Sequence, residues 1–319
     1  MRLLESLGID LPLMQAGMGG GLARHELAAA VSEAGGVGSI GILDPPLLRR
    51  ELEAARAKTG KPVAVNLLLP FARRGHYEVA AEADLVVTFW GAPRRPTGRA
   101  WLHQCGSVEE AVAASAAGAD GVIVQGVEAG GHVRGALPAL ELLERVRTAL
   151  PEGYPVWLAG GIAEAADVRS ALDAGAEGVV AGTRFLLSEE SRAHPEYKRR
   201  ALAGSETLLT KLFGAGWPAL HRVLPNAATE RWLEGDGALP GWIGALQRVA
   251  SPLLGRTPQS FHARVAPYAR PSQPLLGPQA ANDDGPDALV DAGPLYAGET
   301  VARIGEVRPA GALVRELAG

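Results

Sequence analysis

From residue 11 to residue 181 the chain alternates short apolar runs with stretches of helical spacing. Residues 11–15, 37–40, 63–66, 85–89, 101–104, 121–124, 155–159 and 178–181 are brief, rich in Val, Ile and Leu, and bounded by Gly, Pro or polar residues. Strands buried on both faces read this way. Between them, residues 24–34, 47–58, 75–83, 108–117, 137–150 and 163–174 place apolar positions three and four apart, the helical period. The punctuation agrees. Asp44 with Pro45 and Pro46 opens the second helix, Gly35-Gly36 closes the first, and Ser107 with Glu110 three residues on is a capping box.

Eight such strands, each followed by a helix or a glycine-rich turn, predict a (β/α)8 TIM barrel of the α/β class. A doubly wound open sheet is the alternative. It would want a GxGxxG turn after the first strand with an acid about 20 residues on, and the glycines after Gln15 do not fit that spacing. The pattern changes after Arg184. Residues 1–188 are therefore read as the barrel, 189–294 as a helical appendage with a Pro/Gly/Asp-rich loop at 271–294, and 295–319 as a terminal segment docking back on the barrel.

In such a barrel the chemistry sits on the loops at the C-terminal ends of the strands. Gly121-Val-Ile-Val124 runs into Gln125-Gly-Val-Glu-Ala-Gly-Gly-His132. A histidine on a surface loop is usually only solvated. Here Gly126, Gly130 and Gly131 let the backbone turn sharply beside the ring, which makes His132 the candidate acid or base. The loops Ala159-Gly160-Gly161 and Ala181-Gly182-Thr183 follow the last two strands, where barrels bind phosphate with bare backbone amides. Gln15-Ala16-Gly17-Met18 begins a first loop with little side-chain bulk, suited to a flat ring that Met18 can touch through its thioether. Asn66, Gln104 and Gln125 stand at strand ends, to bond a ring's polar edge or to cap their own loops. Glu128 either orients His132 or faces solvent.

Composition narrows the partners. The 319 residues carry a net charge of −4, which attracts neither nucleic acid nor an anionic membrane. Cys105 is the single cysteine, so there is no internal disulfide and no Cys-based metal cluster. The seven histidines contain no HxxxH pair, and no metal site is expected; His25, His76, His103, His194, His221 and His262 are read as solvated or structural. No run has the length of a membrane span and the first ten residues lack a signal peptide's apolar region, so a cytoplasmic protein is expected. Phe213 and three of the six tryptophans, Trp217, Trp232 and Trp242, lie in the appendage as core packing, an active-site cover or a homodimer contact.

Taken together, Pro12-Leu-Met-Gln-Ala-Gly-Met18, Val65-Asn66, Gln125-Gly-Val-Glu-Ala-Gly-Gly-His132, Ala159-Gly-Gly161, Gly182-Thr-Arg-Phe185 and Tyr296-Ala-Gly-Glu299 resemble the nitronate monooxygenase family, formerly 2-nitropropane dioxygenases. The resemblance implies a TIM barrel with a smaller helical domain and noncovalent FMN. It places the FMN phosphate on Gly160, Gly161, Gly182 and Thr183, and the ring against Ala16, Gly17 and Met18, with Asn66, Gln104 and Gln125 at its polar edges. Gln15, Gly130, Gly131 and Ala159 complete the expected cofactor shell. It makes His132 the catalytic base or the anchor of the nitro group, and it implies oxidation of alkyl nitronates with O2 to a carbonyl compound and nitrite. An NAD(P)H-dependent FMN reductase acting on enoyl thioesters or quinones carries a similar Glu-x-Gly-Gly-His loop and is the alternative. Two positions depart from the family pattern: Gly17, where many relatives carry proline, and Gln125, where some carry aspartate.

Overall fold

The computed structural model describes residues 3–96, 98, 100–235, 237–255, 257 and 264–319. Strands β1 (Leu13–Gln15), β2 (Gly38–Ile40), β3 (Val63–Leu68), β4 (Leu85–Phe89), β5 (Ala100–Cys105), β6 (Gly121–Gln125), β8 (Val156–Ala159) and β9 (Gly178–Ala181) form one parallel sheet, ordered β1-β9-β8-β6-β5-β4-β3-β2. A parallel bridge from Met14 to Val37 closes it, with Gln15 N–H donating to Val37 O at 2.9 Å and Val37 N–H to Leu13 O at 2.8 Å. The molecule is a (β/α)8 barrel, as the alternation predicts. Strand β7 (Gly131–His132) lies outside it, in the loop after β6.

Strand side chains alternate between the inside and outside of the barrel. Met14, Ala64, Leu85, Val87, Ala100, Leu102, Ile123, Trp157, Ala159 and Val180 fill the interior as one cluster, with Leu3 and Ile9 from the N-terminal segment. Trp157 is fully buried there, and Gly178 makes the room: a Cβ at Gly178 would stand 2.6 Å from the indole. The opposite parity packs on helices. Leu13, Val122, Val124, Val156, Leu158 and Val179 meet Leu27 and Val31 of helix His25–Glu33, Leu142 and Val146 of helix Ala139–Ala149, and Val168 of helix Ala165–Asp173. Leu313, Val314 and Leu317 of the last helix, Ala310–Ala318, join this layer.

Several boundaries move for identifiable reasons. β3 extends two residues past Asn66, because Leu67 and Leu68 pair with Thr88 and Phe89. At Ser107 only half of the predicted capping box forms. The Ser107 hydroxyl accepts from Glu110 N, but the Glu110 carboxylate accepts from Gly106 N at 2.8 Å instead of returning to Ser107. The segment 189–254 is not wholly helical. Beside helices Pro195–Ala203, Ala227–Trp232 and Gly241–Leu254 it contains the strands β10 (Leu208–Thr210) and β11 (His221–Val223), which form an antiparallel sheet with β7. The long loop 271–294 carries one short helix, Ala288–Ala292. No helix among the described residues is long and apolar enough to cross a membrane.

Because Trp157 occupies the barrel axis, Trp157→Ala leaves a cavity that eight strands cannot collapse around. The expected cost is about 3–5 kcal/mol, read as a fall in the urea midpoint.

Candidate active site

A cavity of about 1050 Å³ opens at the C-terminal ends of the barrel strands. All eight reach it: Ala16 after β1, Ile42 after β2, Asn66 of β3, Phe89 of β4, Gln104 of β5, Gln125 of β6, Ala159 of β8 and Val180 of β9. The residues predicted from the sequence converge on this one space. Ala16, Gly17, Met18, Asn66, Gln104, Gln125, Gly130, Gly131, His132, Ala159, Gly160, Gly161, Gly182 and Thr183 all line it.

Gln15 does not line it. The parity of β1 sends Met14 into the barrel and Gln15 outward, where its side chain is fully buried. Its amide accepts from Ser39 N at 3.0 Å and donates to Ala16 O, bracing β1 against β2. Gln125 faces the cavity, but both ends of its amide are engaged. Nε2 donates to His132 O at 3.0 Å and Oε1 accepts from Arg134 N at 2.9 Å, so Gln125 caps its own loop. Glu128 does neither thing expected of it. Its carboxylate accepts from Ala139 N at 3.0 Å, at the start of helix Ala139–Ala149, where a negative charge meets the positive end of the helix dipole.

One side of the cavity is nearly bare. Gly17 has no substitute there, since Asn66 Cβ occupies the place its Cβ would take and Ser39 Oγ lies 2.9 Å from that point. The glycine lets Asn66 pack closely against the loop. No protein hydrogen bond engages the side-chain amides of Asn66 or Gln104 among the described residues, and both line the cavity. Gly160 and Gly161 take left-handed φ values of 104° and 79°, and a Cβ on Gly161 would meet nothing within 4 Å. Thr183 opens the short helix Thr183–Leu186, and its hydroxyl accepts from Gly298 N at 2.9 Å.

His132 is held from two directions. Gln125 grips its carbonyl from the barrel, and β7 pairs with β11 from the appendage, His132 opposite His221. Its ring stacks on Trp217 with centroids 4.1 Å apart and planes 29° apart, and Tyr296 stands at 5.3 Å. Trp90, at φ 62° just past β4, packs edge-on against Trp217. Although the residue as a whole keeps some exposure, His132 Nε2 is buried and has no hydrogen-bond partner. Of the tryptophans read as a possible active-site cover, Trp217 takes that place; Tyr296 and His221 were not singled out by sequence reasoning for this role. They come from outside the barrel, and no local spacing ties them to His132. Phe213 is core, Trp232 donates to Pro271 O at 2.7 Å, and Trp242 is exposed.

With this geometry in view, the nitronate monooxygenase family matches residues 1–90 and 94–318. The chain belongs to that family. It is 34% identical over 298 residues to the nitronate monooxygenase of Pseudomonas aeruginosa, covering 75% of this chain and 82% of that protein. It is 33% identical over 257 residues to the (3aS,4S,5R,7aS)-5-hydroxy-7a-methyl-1-oxo-octahydro-1H-indene-4-carboxyl-CoA dehydrogenase of Mycobacterium tuberculosis, covering 77% and 71%. Among solved structures, FabK from Thermotoga maritima matches at TM-score 0.78 with 27% identity, over 99% of this chain and 94% of that one. Nitroalkane oxidase from Streptomyces ansochromogenes matches at 0.74 with 28% identity, over 99% and 96%. This member of the family is an oxidoreductase of the flavin type.

The family's histidine loop is electrically quiet here. Burial, and next the neighbouring His221, push His132 well below its ordinary value of 6.5. Burial likewise lowers His221 to about 4. Its Nδ1–H donates to Ala219 O at 3.0 Å and its Nε2 accepts from Phe213 N at 3.3 Å, an assignment that requires the neutral ring. His103 falls to about 4 by burial and bonds Thr88 Oγ1 at 2.7 Å. Cys105 is a buried thiol that burial keeps protonated. His25 is not simply solvated: it meets Glu51 at 2.6 Å, and Glu26 lies close enough that the three ligand atoms fall within 4.8 Å of one another. Glu51 also accepts from His25 N at 3.0 Å, so it serves as the cap of helix His25–Glu33. His262 lies outside the described residues.

These buried neutral rings set a pH dependence. Unfolding returns each to a value near 6.5, so below that pH the unfolded chain binds more protons than the folded one. Stability is therefore full above about 6.5 and falls as pH drops toward 4. The Tm at pH 5 should lie below that at pH 7.5, and His221→Gln should flatten that slope whatever it does to Tm at pH 7.5.

Proposed function

We propose that the protein is an FMN-dependent nitronate monooxygenase, oxidising alkyl nitronates with O2 to a carbonyl compound and nitrite. The observation that carries the reading is His132: a neutral imidazole with a buried, unpartnered Nε2, lining the same cavity as a wall almost without side chains. That wall suits FMN. The flat face at Gly17, the open space over Gly161 and the unengaged amides of Asn66 and Gln104 are what a planar ring with polar edges and a phosphate tail require. Ala16, Gly17 and Met18 would take the ring, Asn66 and Gln104 its polar edges, and Gly160, Gly161, Gly182 and Thr183 the phosphate. Gln15 and Gln125 are left out of this set because their amides are already engaged. FMN, when bound, supplies the two-electron acceptor.

The chain's own residues do the rest. A nitronate has already lost its carbon-bound proton, so it needs no strong base. A neutral imidazole N–H can donate to a nitronate oxygen, and the depressed affinity of His132 for a second proton keeps it in that form. Gln125 adds no charge that would favour an imidazolium. Trp217 covers one face of the ring. The apolar wall formed with Phe71 and Phe89 keeps water from the reacting carbon.

His132→Ala should lower turnover of a short alkyl nitronate about 10²-fold while flavin absorbance shows the cofactor still bound. Unchanged turnover would remove His132 from the reaction. The competing reductase reading is tested by anaerobic titration. Bleaching of the oxidised flavin band by nitronate, with NADH and NADPH inert, is the expected result; rapid bleaching by a pyridine nucleotide with nitronate inert overturns it in favour of the reductase.

A further inference from the structure

The walls of the cavity are of two kinds. About 1050 Å³ is at the top of the roughly 300–1,000 Å³ range of sites that enclose a drug-sized ligand. The barrel side is glycines and amides. The other side is built by described residues at 215–217, 254–255, 257 and 265–279, among them Trp217, Leu254, Val265, Tyr268, Leu275 and Leu276, and none of those that line the cavity is charged. Of the charged residues elsewhere on the wall, Arg24 pairs with Asp284 at 3.2 Å and Glu128 caps helix Ala139–Ala149, while Asp44 is exposed. An ionic substrate tail would meet no charged partner among the described residues of this roof, and a short substrate would leave its apolar surface wet.

The apolar lining also continues to the outside. Val265 and Tyr268 line the cavity and are 44% and 71% exposed. Leu253, next to the cavity-lining Leu254, is 73% exposed, and Val249 one turn earlier in helix Gly241–Leu254 is 81% exposed. Only Ile243 and Gln247 of that helix are buried. Soluble chains seldom leave such a strip uncovered without using it.

From the roof, whose described lining is uncharged, and the apolar rim that prolongs it, we propose that the preferred substrate carries a long, uncharged linear alkyl chain, whose reacting head lies by His132 and whose tail runs under Trp217, Leu275 and Leu276 to the rim at Val265 and Tyr268. This rests on the nitronate reading only for the identity of the head.

The test uses the flavin-loaded enzyme and two probe series. For straight-chain 1-nitronates from two to ten carbons, kcat/KM should rise about fourfold per added methylene until the chain reaches the rim. For the redox-inert n-alkan-1-ols of four to ten carbons, calorimetric Kd should fall in parallel. Tyr268→Asp, at the exposed rim, should weaken decanol by about tenfold or more and lower kcat/KM of the ten-carbon nitronate far more than that of the two-carbon one. An alkanol Kd independent of chain length, or a Tyr268→Asp effect equal across both series, overturns the proposal. If no nitronate is turned over while alkanol affinity still climbs with length, the monooxygenase reading fails and the alkyl-chain site stands.

Discussion

Closure of the barrel between β1 and β2 is the constraint from which the site follows. Once Gln15 N–H bonds Val37 O and Val37 N–H bonds Leu13 O, the strands have no open edge and each has a single inward face. The face that buries Met14, Ala64, Leu102, Ile123 and Trp157 in the interior emerges at the C-terminal rim as Ala16, Asn66, Gln104, Gln125 and Ala159. The filling of the core and the lining of the cavity are one alternation read at two heights. Gln15 falls outside the site for the same reason.

Above that rim, His132 depends on two layers at once. The barrel grips its carbonyl through Gln125, while β11 pairs with its backbone and Trp217 covers its ring. Enclosure on this scale strips water from the imidazole and leaves it uncharged, with a buried Nε2 that has no protein partner. An amide at position 125 suits this arrangement, since it can hold two backbone groups without bringing a charge to a ring that has no solvent to share it with.

The closing segment ties these layers together. Gly298 N–H donates to Thr183 Oγ1, Glu299 N–H to Glu128 O at 3.0 Å, and a Cβ at Gly130 would press on Ala297 and Gly298. Arg222 of β11 bonds Val127 O at 2.9 Å and Glu299 at 2.8 Å. The glycine-rich floor and the aromatic roof are thereby held as two halves of one cavity, polar and narrow on the barrel side, apolar and open on the other.

Much of this was legible in the chain. Eight apolar runs of strand length, helical spacing between them and glycines after the last two strands determined the barrel, its active rim and the bare surface at 16–18, 160–161 and 182, because period and backbone freedom are local properties. Reading strand parity strictly would also have turned Gln15 away and brought Phe89 in. What the sequence could not decide were the partners of His132. Trp217, His221 and Tyr296 are remote from it along the chain, in a region with no barrel period, and reach it through an antiparallel pairing that two-residue β7 does not announce. Whether Gln125 and Glu128 faced a ligand or served their own loops likewise depended on where Arg134 N and Ala139 N came to lie, and backbone donors of that kind acquire a position only when the chain has folded around them.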